Sequence, residues 1–363
     1  MSDIPQEPRA WPRRVVAGSI ALAVALVALL VMSFLPTDYV LQRPGPVYNT
    51  IGAVEDAEGA EVPLIDVPDG EAYETSGALS LTTVEVVGNR EHPLSWIELA
   101  SAWFDRSRAI VPIGAVFPEG QTSDERDAQN QAAMTDSQSE AEAAALRHLG
   151  YEVPADIRVV SLTDDSPSAG VVREGDLIRA VDGHTVEQVS ELRKGIAEAG
   201  GDPVVLTLER DGAESTAEIS PEKLDDGSWA IGTLLSVSYE NPLDISIQLD
   251  NVGGPSAGTM FALGIIDTLT PGEMTGGELI AGTGTITAEG EVGPIGGIRQ
   301  KLYGASDAGN EFFLAPAANC AEVPGHIPDG LTVVSIETLD DAVGAVEMIA
   351  QGEEENLPSC AAS

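Results

Sequence analysis

Two residues, Ser256 and Lys301, have types and a spacing that could serve acyl-bond hydrolysis. Ser256 lies in the glycine-rich stretch GGPSAG at 253–258. Residues 243–249 alternate apolar and polar side chains as a half-buried strand does, and residues 260–269 are apolar enough for a buried helix. The pattern therefore predicts Ser256 at a strand-to-helix junction. Free N–H groups at a helix N-terminus can stabilise a developing oxyanion, which suits a nucleophile.

Three kinds of site compete for this stretch. A phosphate loop would need Lys after Gly258, but Thr259 follows. A G-x-S-x-G nucleophile elbow matches 254–258, yet it requires an acid and then a histidine downstream, and only His326 follows. A serine–lysine dyad needs a lysine that can be buried and lose its proton, so that it can act as the base.

Two further segments make a family resemblance specific. Residues 280–287 read IAGTGTIT, and residues 293–302 read GPIGGIRQKL and contain Lys301. In this order, GGPSAG and these segments resemble the proteolytic domain of Lon proteases. The resemblance implies the following roles: Ser256 as nucleophile, Lys301 as general base, Thr283 as the residue that orients the dyad, and Arg299 as a second basic position. The predicted helix N-terminus makes the backbone of Gly254, Ser256 and Ala257 the candidate oxyanion site.

The resemblance extends upstream and also has limits. Residues 134–146 resemble the Lon helix that precedes the catalytic strand, whereas the acidic residue that many Lon proteases carry shortly before the serine is replaced by NVGG at 251–254. The sequence offers no Walker A lysine, so we expect activity without ATP. No cofactor or metal is expected, since the four histidines are widely dispersed. Lon-like domains commonly assemble as rings, which makes a homo-oligomer a further expectation.

A second block, at 157–212, resembles a bacterial PDZ domain. It contains the run EGDLIRAVDG at 174–183, in which Gly175, Asp176 and Ile178 are the predicted PDZ residues, and a helix near 189–199. PDZ domains bind extended peptides by adding a strand to a sheet edge. Peptide or protein segments are therefore the expected partners, although a module retained only for packing is the alternative.

The order of the blocks predicts the architecture. The Lon-like helix comes before the PDZ block and Ser256 comes after it, so the PDZ domain is predicted as an insertion in a discontinuous α+β protease domain. Residues 77–87 are predicted as its first long strand, and 118–132 as a mobile loop. The predicted boundaries are 1–14 for a cytoplasmic N-terminus, 15–35 for a transmembrane helix, 36–150 for a linker and the first part of the protease, 151–222 for the PDZ domain, 223–350 for the catalytic part, and 351–363 for a tail.

The N-terminus predicts a membrane location. Residues 15–35 carry no charge, and 21 helical residues match a bilayer core of about 30 Å. The segment 33–38 offers no good cleavage site, so a retained anchor is favoured over a cleaved signal peptide. Arginines precede the span and only Arg43 lies close after it, which places the N-terminus in the cytoplasm and the remainder outside.

Composition excludes one class of partner and fits an exported chain. A formal net charge of −41 repels nucleic acid. The only cysteines, Cys320 and Cys360, both follow the predicted anchor, in a compartment where a disulfide between them can persist. We expect this bridge to pin the C-terminal tail.

The sequence thus predicts a membrane-anchored, ATP-independent serine endopeptidase with a serine–lysine dyad and an inserted PDZ domain. The rival from another class is a membrane-tethered PDZ adaptor on an inactive Lon-like fold. An esterase that uses the 254–258 elbow is a weaker rival, because it would need a histidine in place of Lys301.

Overall fold

The computed structural model describes residues 13–56, 59–68, 70–118, 120–249 and 252–360. Its helices are α1 Arg13–Met32, α2 Trp96–Ala102, α3 Ile113–Val116, α4 Ser123–His148, α5 Val189–Ala199, α6 Gly258–Leu269, α7 Ile298–Asp307 and α8 Leu339–Ala350. Its strands are β1 Tyr39–Asn49, β2 Ala53–Glu55, β3 Glu61–Pro63, β4 Ile65–Asp66, β5 Ala78–Val87, β6 Ala109–Pro112, β7 Ala155–Leu162, β8 Leu177–Val181, β9 His184–Thr185, β10 Val204–Arg210, β11 Ala213–Ile219, β12 Glu222–Lys223, β13 Trp229–Ala230, β14 Thr233–Tyr239, β15 Ser246–Ile247, β16 Leu279–Gly282, β17 Thr285–Ile286, β18 Val292–Gly293, β19 Phe312–Pro316 and β20 Thr332–Ile336.

The larger domain is built on a six-stranded sheet in the order β20-β19-β16-β5-β1-β6. Strands β5, β16, β19 and β20 run parallel, whereas β1 is antiparallel to β5 and β6. Helices α4, α6 and α8 contribute to the main core, and almost every residue of α6 is buried. Because the strands and helices of this domain lie on both sides of residues 155–239, the domain is discontinuous in sequence.

The smaller domain has its own sheet and a separate apolar core. Its sheet order is β11-β10-β8-β7-β14, and α5 packs against β8 and β13. The predicted end of this domain at residue 222 is too early, because β14 pairs with β7 from Thr233↔Leu162 to Tyr239↔Ala155. The long-range pairing of β14 decides the boundary, and the hairpin of β12 and β13 separates it from β11.

Two sequence-based expectations about local structure are wrong. Of the predicted loop, residues 123–132 are helical, since α4 begins at Ser123; a capping box joins Thr122 and Glu125 at its N-terminus. Residues 243–249 do not form a long strand, because only Ser246 and Ile247 pair, with β4. Among the described residues that precede Ser256, residues 248–249 and 252–255 are irregular.

Helix α1 is long and apolar enough to cross a membrane by length and composition. It has 20 residues, close to the predicted span, and stands outside the four apolar cores. At the other end of the chain, Cys320 and Cys360 form a disulfide with a Cα–Cα distance of 4.9 Å. The bridge fixes the end of the described chain beside β20, where the N–H of Ser335 also donates to the carbonyl of Pro358.

Candidate active site

Lys301 is positioned by the first turn of α7. The helix begins after Gly297, whose φ of +71° is in the left-handed region that glycine adopts without strain. A Cβ at Gly297 would also lie 2.7 Å from the Val84 side chain on β5, so the helix start approaches the sheet closely. The N–H of Lys301 donates to the Gly297 carbonyl. This turn directs the lysine side chain inward, where it is only 2% exposed.

Lys301 Nζ lies 2.7 Å from Ser256 Oγ. The lysine is buried, and none of the carboxylates in the described ranges forms an ion pair with it. Burial disfavours the ammonium form and lowers the pKa of Lys301 from its ordinary 10.5 to about 7. At neutral pH a large fraction of the amine is therefore unprotonated, and it can accept the proton of the serine hydroxyl.

Thr283 connects the two ends of this arrangement. It follows β16 directly, and its Oγ1 accepts a hydrogen bond of 2.8 Å from Lys301 Nζ. The same hydroxyl donates to the backbone carbonyl of Ser256 at 2.8 Å, and the N–H of Gly284 donates to that carbonyl at 3.0 Å. Thr283 thus contacts both the amine of Lys301 and the backbone of Ser256, a position from which it can orient the two residues.

The residues Val252–Ala257, here called the Ser256 loop, precede α6. The predicted oxyanion role of the Gly254 backbone is contradicted, because its N–H donates to the carbonyl of Asn130 at 2.8 Å and is not free. The N–H groups of Ser256 and Ala257 have no acceptor within the described part of the chain. These two N–H groups, of the serine itself and of the next residue, are therefore free to receive an oxyanion.

Ser137 on α4 is a site residue that sequence reasoning missed. Its Oγ donates to the carbonyl of Pro255 at 3.0 Å, and the side chain is buried. The Pro255 carbonyl belongs to the same peptide group as the N–H of Ser256, so this bond fixes the direction of that N–H. Helix α4 can approach because residue 258 is glycine, where a Cβ would lie 2.8 Å from Ser137 Oγ. The resemblance of residues 134–146 was the available signal.

A cavity of about 290 Å³ opens beside Ser256 and Lys301. Its walls come from β1, β5, α4, the Ser256 loop and the start of α7, and include Tyr48, Thr83, Met134 and Gly296. No histidine is among its described lining residues, whereas Lys301 is. An esterase that used Ser256 in a G-x-S-x-G elbow would need a histidine there as its base. Within the described ranges, no group of three or more His, Cys, Asp or Glu side chains could hold a metal ion.

The predicted PDZ residues have structural positions. Ile178 is buried in the core of the smaller domain, and Gly175 adopts a φ of +89° in the turn before β8. Asp176 is 1% exposed and accepts two hydrogen bonds from Arg210, each of 2.7 Å, and one from the N–H of Arg173. The pKa of Asp176 is lowered, chiefly by the Arg210 hydrogen bonds. These residues stabilise the domain and do not line its groove.

Comparisons with known proteins match both domains. Residues 250–348 match the Lon protease (S16) C-terminal proteolytic domain, and residues 126–220 match the PDZ domain family. Lon protease 2 of Herpetosiphon aurantiacus is 38% identical over 108 residues, which are 28% of this chain and 13% of that protein. Lon protease of Geobacter metallireducens is 38% identical over 93 residues, 25% of this chain and 11% of that protein. The matches thus cover about an eighth of the length of these relatives.

Among solved structures, the PDZ domain of an SdrC-like protein from Listeria innocua is 28% identical and covers 22% of this chain and 92% of that chain, with a TM-score of 0.21. The family match at 126–220 begins inside α4, whereas the sheet of the smaller domain begins at Ala155. The chain therefore carries a Lon-type proteolytic domain with a PDZ domain, and a helix long enough to cross a membrane precedes both.

Proposed function

We propose that the chain is an ATP-independent serine endopeptidase in which Lys301 activates Ser256. The observation that carries the proposal is the contact of 2.7 Å between Lys301 Nζ and Ser256 Oγ. It is supported by the pKa of about 7 that burial gives the lysine. A base is most effective when its pKa lies near the working pH, because it is then both available and able to take the proton.

Acylation of Ser256 follows from this geometry. One N–H of neutral Lys301 donates to Thr283, so the lone pair can accept the hydroxyl proton as Ser256 Oγ attacks a peptide carbonyl. The N–H groups of Ser256 and Ala257 receive the oxyanion of the tetrahedral intermediate. The lysine ammonium then gives its proton to the leaving amine, and the C–N bond breaks.

Deacylation uses the same groups. A water molecule replaces the leaving amine, and Lys301 removes a proton from it as the water attacks the ester of Ser256. Collapse of the second tetrahedral intermediate returns the proton from the lysine to Ser256 Oγ. Because the amine is neutral at the start of both halves, activity should rise as the pH rises through about 7.

We propose that the PDZ domain supplies peptide segments to the protease. Strand β14 pairs with β7 on one side, and its other edge pairs with no strand of the described chain. Helix α5 flanks a groove of about 1000 Å³ at that open edge. An extended peptide can add there as a further strand, with backbone hydrogen bonds for affinity and side-chain pockets for selectivity.

Full-length protein in detergent micelles, without ATP, provides the test of the protease proposal. The protein is incubated with unfolded polypeptides, and new termini are identified by mass spectrometry. Ser256→Ala should abolish cleavage, while Ser101→Ala serves as a serine control; Lys301→Arg should also abolish it, with Lys194→Arg as its control. Peptide binding without cleavage by the wild type would favour the adaptor, and cleavage that survives Ser256→Ala would contradict the dyad.

We also propose that α1 anchors the chain, with both domains outside the cytoplasm. Twenty helical residues span about 30 Å, the thickness of a bilayer core. Arg14 precedes the apolar run, which favours a cytoplasmic N-terminus. A protease added to intact cells that lack an outer membrane should digest the region after α1. Full protection until lysis would reverse the orientation, and a mature chain that begins after α1 would identify a cleaved signal sequence.

A further inference from the structure

The groove beside β14 has walls from both domains. Its PDZ walls are α5, the β12–β13 hairpin with Trp229, and the inward-facing residues of β14, which are Thr233, Leu235, Val237 and Tyr239. At the Tyr239 end, the cavity is also lined by Thr287, Glu289 and Glu291 of the protease segment Thr285–Gly293, here called the acidic hairpin, and by Glu140 of α4. A chain bound along the whole of β14 would therefore meet the protease domain.

Hydrogen bonds through Glu140 join the PDZ wall of the groove to its protease wall. The Tyr239 hydroxyl donates to one Glu140 oxygen at 2.9 Å, and the N–H of Ala288 in the acidic hairpin donates to the other oxygen at 2.5 Å. Arg147 lies over the Tyr239 ring and approaches Glu289 at 3.7 Å. These contacts join the end of β14 to the acidic hairpin through α4, so the far wall has a defined position relative to the PDZ groove.

The other end of the groove has the opposite polarity. Ser168 Oγ donates to the carbonyl of Ile231 at 2.5 Å, and the N–H of Thr163 donates to the carbonyl of Gly232 at 3.0 Å. These bonds engage the carbonyl oxygens of Ile231 and Gly232, whereas the N–H groups of the same two residues have no acceptor within the described chain, so this end offers backbone donors. Such an end suits a terminal carboxylate.

Charge distinguishes the hairpin end. Three of the lining residues there are Glu140, Glu289 and Glu291, and the only basic residue among those that line the cavity is Arg193 on α5. Both oxygens of Glu140 are engaged by the protein, and Glu289 approaches Arg147. The side chain of Glu291 has no ion-pair partner in the described part of the chain, so it is the carboxylate most available to a ligand.

We propose that this composite groove selects extended peptides that place a free C-terminus at Gly232 and a lysine or arginine at the acidic hairpin. This inference rests on the proposed peptide-binding role of the PDZ domain and names the class of segment that it takes. The seven residues of β14 span about 23 Å at 3.3 Å per residue. A tetrapeptide therefore stays within the PDZ walls, whereas an octapeptide reaches Glu289 and Glu291.

The acidic hairpin also connects the groove to Ser256 and Lys301 along the chain. The acidic hairpin begins at Thr285, two residues after Thr283, whose hydroxyl contacts Lys301 Nζ. The N–H of Ala288 within the hairpin is held by Glu140. A peptide long enough to touch the hairpin thus lies against the element that continues from Thr283, whereas a tetrapeptide does not.

The test measures binding to full-length Ser256→Ala protein, so that its result does not depend on catalysis. The fluorescent probes are one octapeptide with lysine at its second position, the same octapeptide with glutamate there, and the tetrapeptide of their shared C-terminal residues. The lysine octapeptide should bind about five-fold or more tightly than either other probe, and the preference should weaken with salt.

Substitutions in the acidic hairpin locate the effect. Glu291→Gln, alone and with Glu289→Gln, should remove most of the lysine preference and leave tetrapeptide affinity unchanged, whereas Glu347→Gln on α8 is the control. Equal binding of all three probes, equal loss for tetrapeptide and octapeptide, or no binding at all would overturn the proposal. Tight lysine-selective binding by a chain that cleaves nothing would support this inference while contradicting the protease.

Discussion

Lys301 in the protease domain and Asp176 in the PDZ domain are both almost completely buried, at 2% and 1% exposure, but their surroundings differ. Asp176 has a counter-ion, Arg210, which forms two hydrogen bonds with it, and its pKa is lowered, so it stays charged. Within the described ranges, the amine of Lys301 has only the hydroxyls of Ser256 and Thr283 as polar contacts, and burial lowers its pKa to about 7.

The difference separates a structural group from a chemical one. A paired buried charge stabilises the domain as long as both partners remain. An unpaired buried amine lowers the stability of the fold but provides a base at neutral pH, which a paired lysine would not. Substitution of Lys301 should therefore abolish activity without lowering stability, whereas substitution of Asp176 should lower stability without changing the hydrolysis of short peptides.

The largest expected effect is the loss of activity in Lys301→Arg. Guanidinium keeps its proton at any accessible pH, so it cannot accept the proton of Ser256, and the rate should fall about 10³-fold or more. In the wild type, the rate should rise with pH through about 7, where the neutral amine becomes the main form. Turnover of a short fluorogenic peptide between pH 5 and 9 checks both statements. A wild-type rate that is flat across this range would argue against Lys301 as the base.

The same lysine should lower the stability of the protease domain. Its pKa is about 7 when folded and 10.5 ordinarily, so folding releases a proton between these values and wild-type stability rises with pH across that window. Lys301→Met removes this cost and should stabilise the domain by about 4 kcal/mol at pH 7, a gain that shrinks toward pH 10.5. Denaturant unfolding at both pH values provides the measurement. A destabilised methionine variant would mean that the hydrogen bonds to Ser256 and Thr283 outweigh burial.

The proximity of Ser256 and Lys301, 2.7 Å apart, could be predicted from sequence because its signals are local. GGPSAG marks Ser256, and a glycine-rich segment marks Lys301 on its first helical turn. The backbone partners of these residues could not be predicted. The N–H of Gly254 is engaged by Asn130, which lies more than a hundred residues upstream in a stretch that appeared too polar for a helix. The capping box of Thr122 and Glu125, which starts helix α4, was the sequence signal that could have identified this helix.

The limits of the PDZ domain show the same division between local and distant information. The helix near 189–199 was expected from the PDZ resemblance, and it is present as α5. Strand β14 was missed, because nothing in residues 233–239 indicates that they pair with β7 about 75 residues earlier. The groove depends on that pairing, so its lining residues could not be predicted. The PDZ residues that the sequence did predict, Gly175, Asp176 and Ile178, stabilise the domain and do not line the groove.

Asp176→Asn provides the opposite case to Lys301. It removes the charged hydrogen bonds between Asp176 and the partly exposed guanidinium of Arg210, and should destabilise the PDZ domain by about 2 kcal/mol. Calorimetry should show a lower melting temperature for the PDZ transition, while hydrolysis of a short peptide that does not need the groove stays unchanged. Arg43→Gln is the matched control, because its ion pair with Glu85 is nearly half exposed and should change stability by less than about 1 kcal/mol.

Ser137→Ala sharpens the comparison at an uncharged buried group. Without its hydroxyl, the carbonyl of Pro255 loses a donor and the N–H of Ser256 loses its fixed direction toward the oxyanion. We expect kcat to fall about ten-fold while KM changes little, since the bond acts on the transition state. A peptide aldehyde that mimics the tetrahedral intermediate should lose affinity in parallel. Ser139→Ala on the same helix is the control, and a change confined to KM would contradict this role.

Glu142 on α4 is a partly buried acid with no cationic partner in the described chain, and its substitution gives the smallest effect. Burial raises its pKa to about 7, although Asn241 Nδ2 donates to it at 2.8 Å. Oδ1 of Asn241 is buried and has no hydrogen-bond partner in the described structure. A neutral Glu142, or a glutamine, carries the donor that this oxygen lacks.

Glu142→Gln should therefore stabilise the chain. Because the folded-state pKa lies above the ordinary 4.5, the wild type loses stability as the pH rises from about 4.5 to about 7, and the glutamine variant does not. The gain should be near zero below pH 4.5 and about 1 kcal/mol above pH 7, after allowance for partial exposure of the carboxylate. Unfolding curves of both proteins at pH 4.5 and 8 measure the difference. A gain that is equal at the two pH values would show that Glu142 is ionised throughout this range. The hydrogen bond from the amide of Asn241 would then be enough to keep the partly buried carboxylate charged.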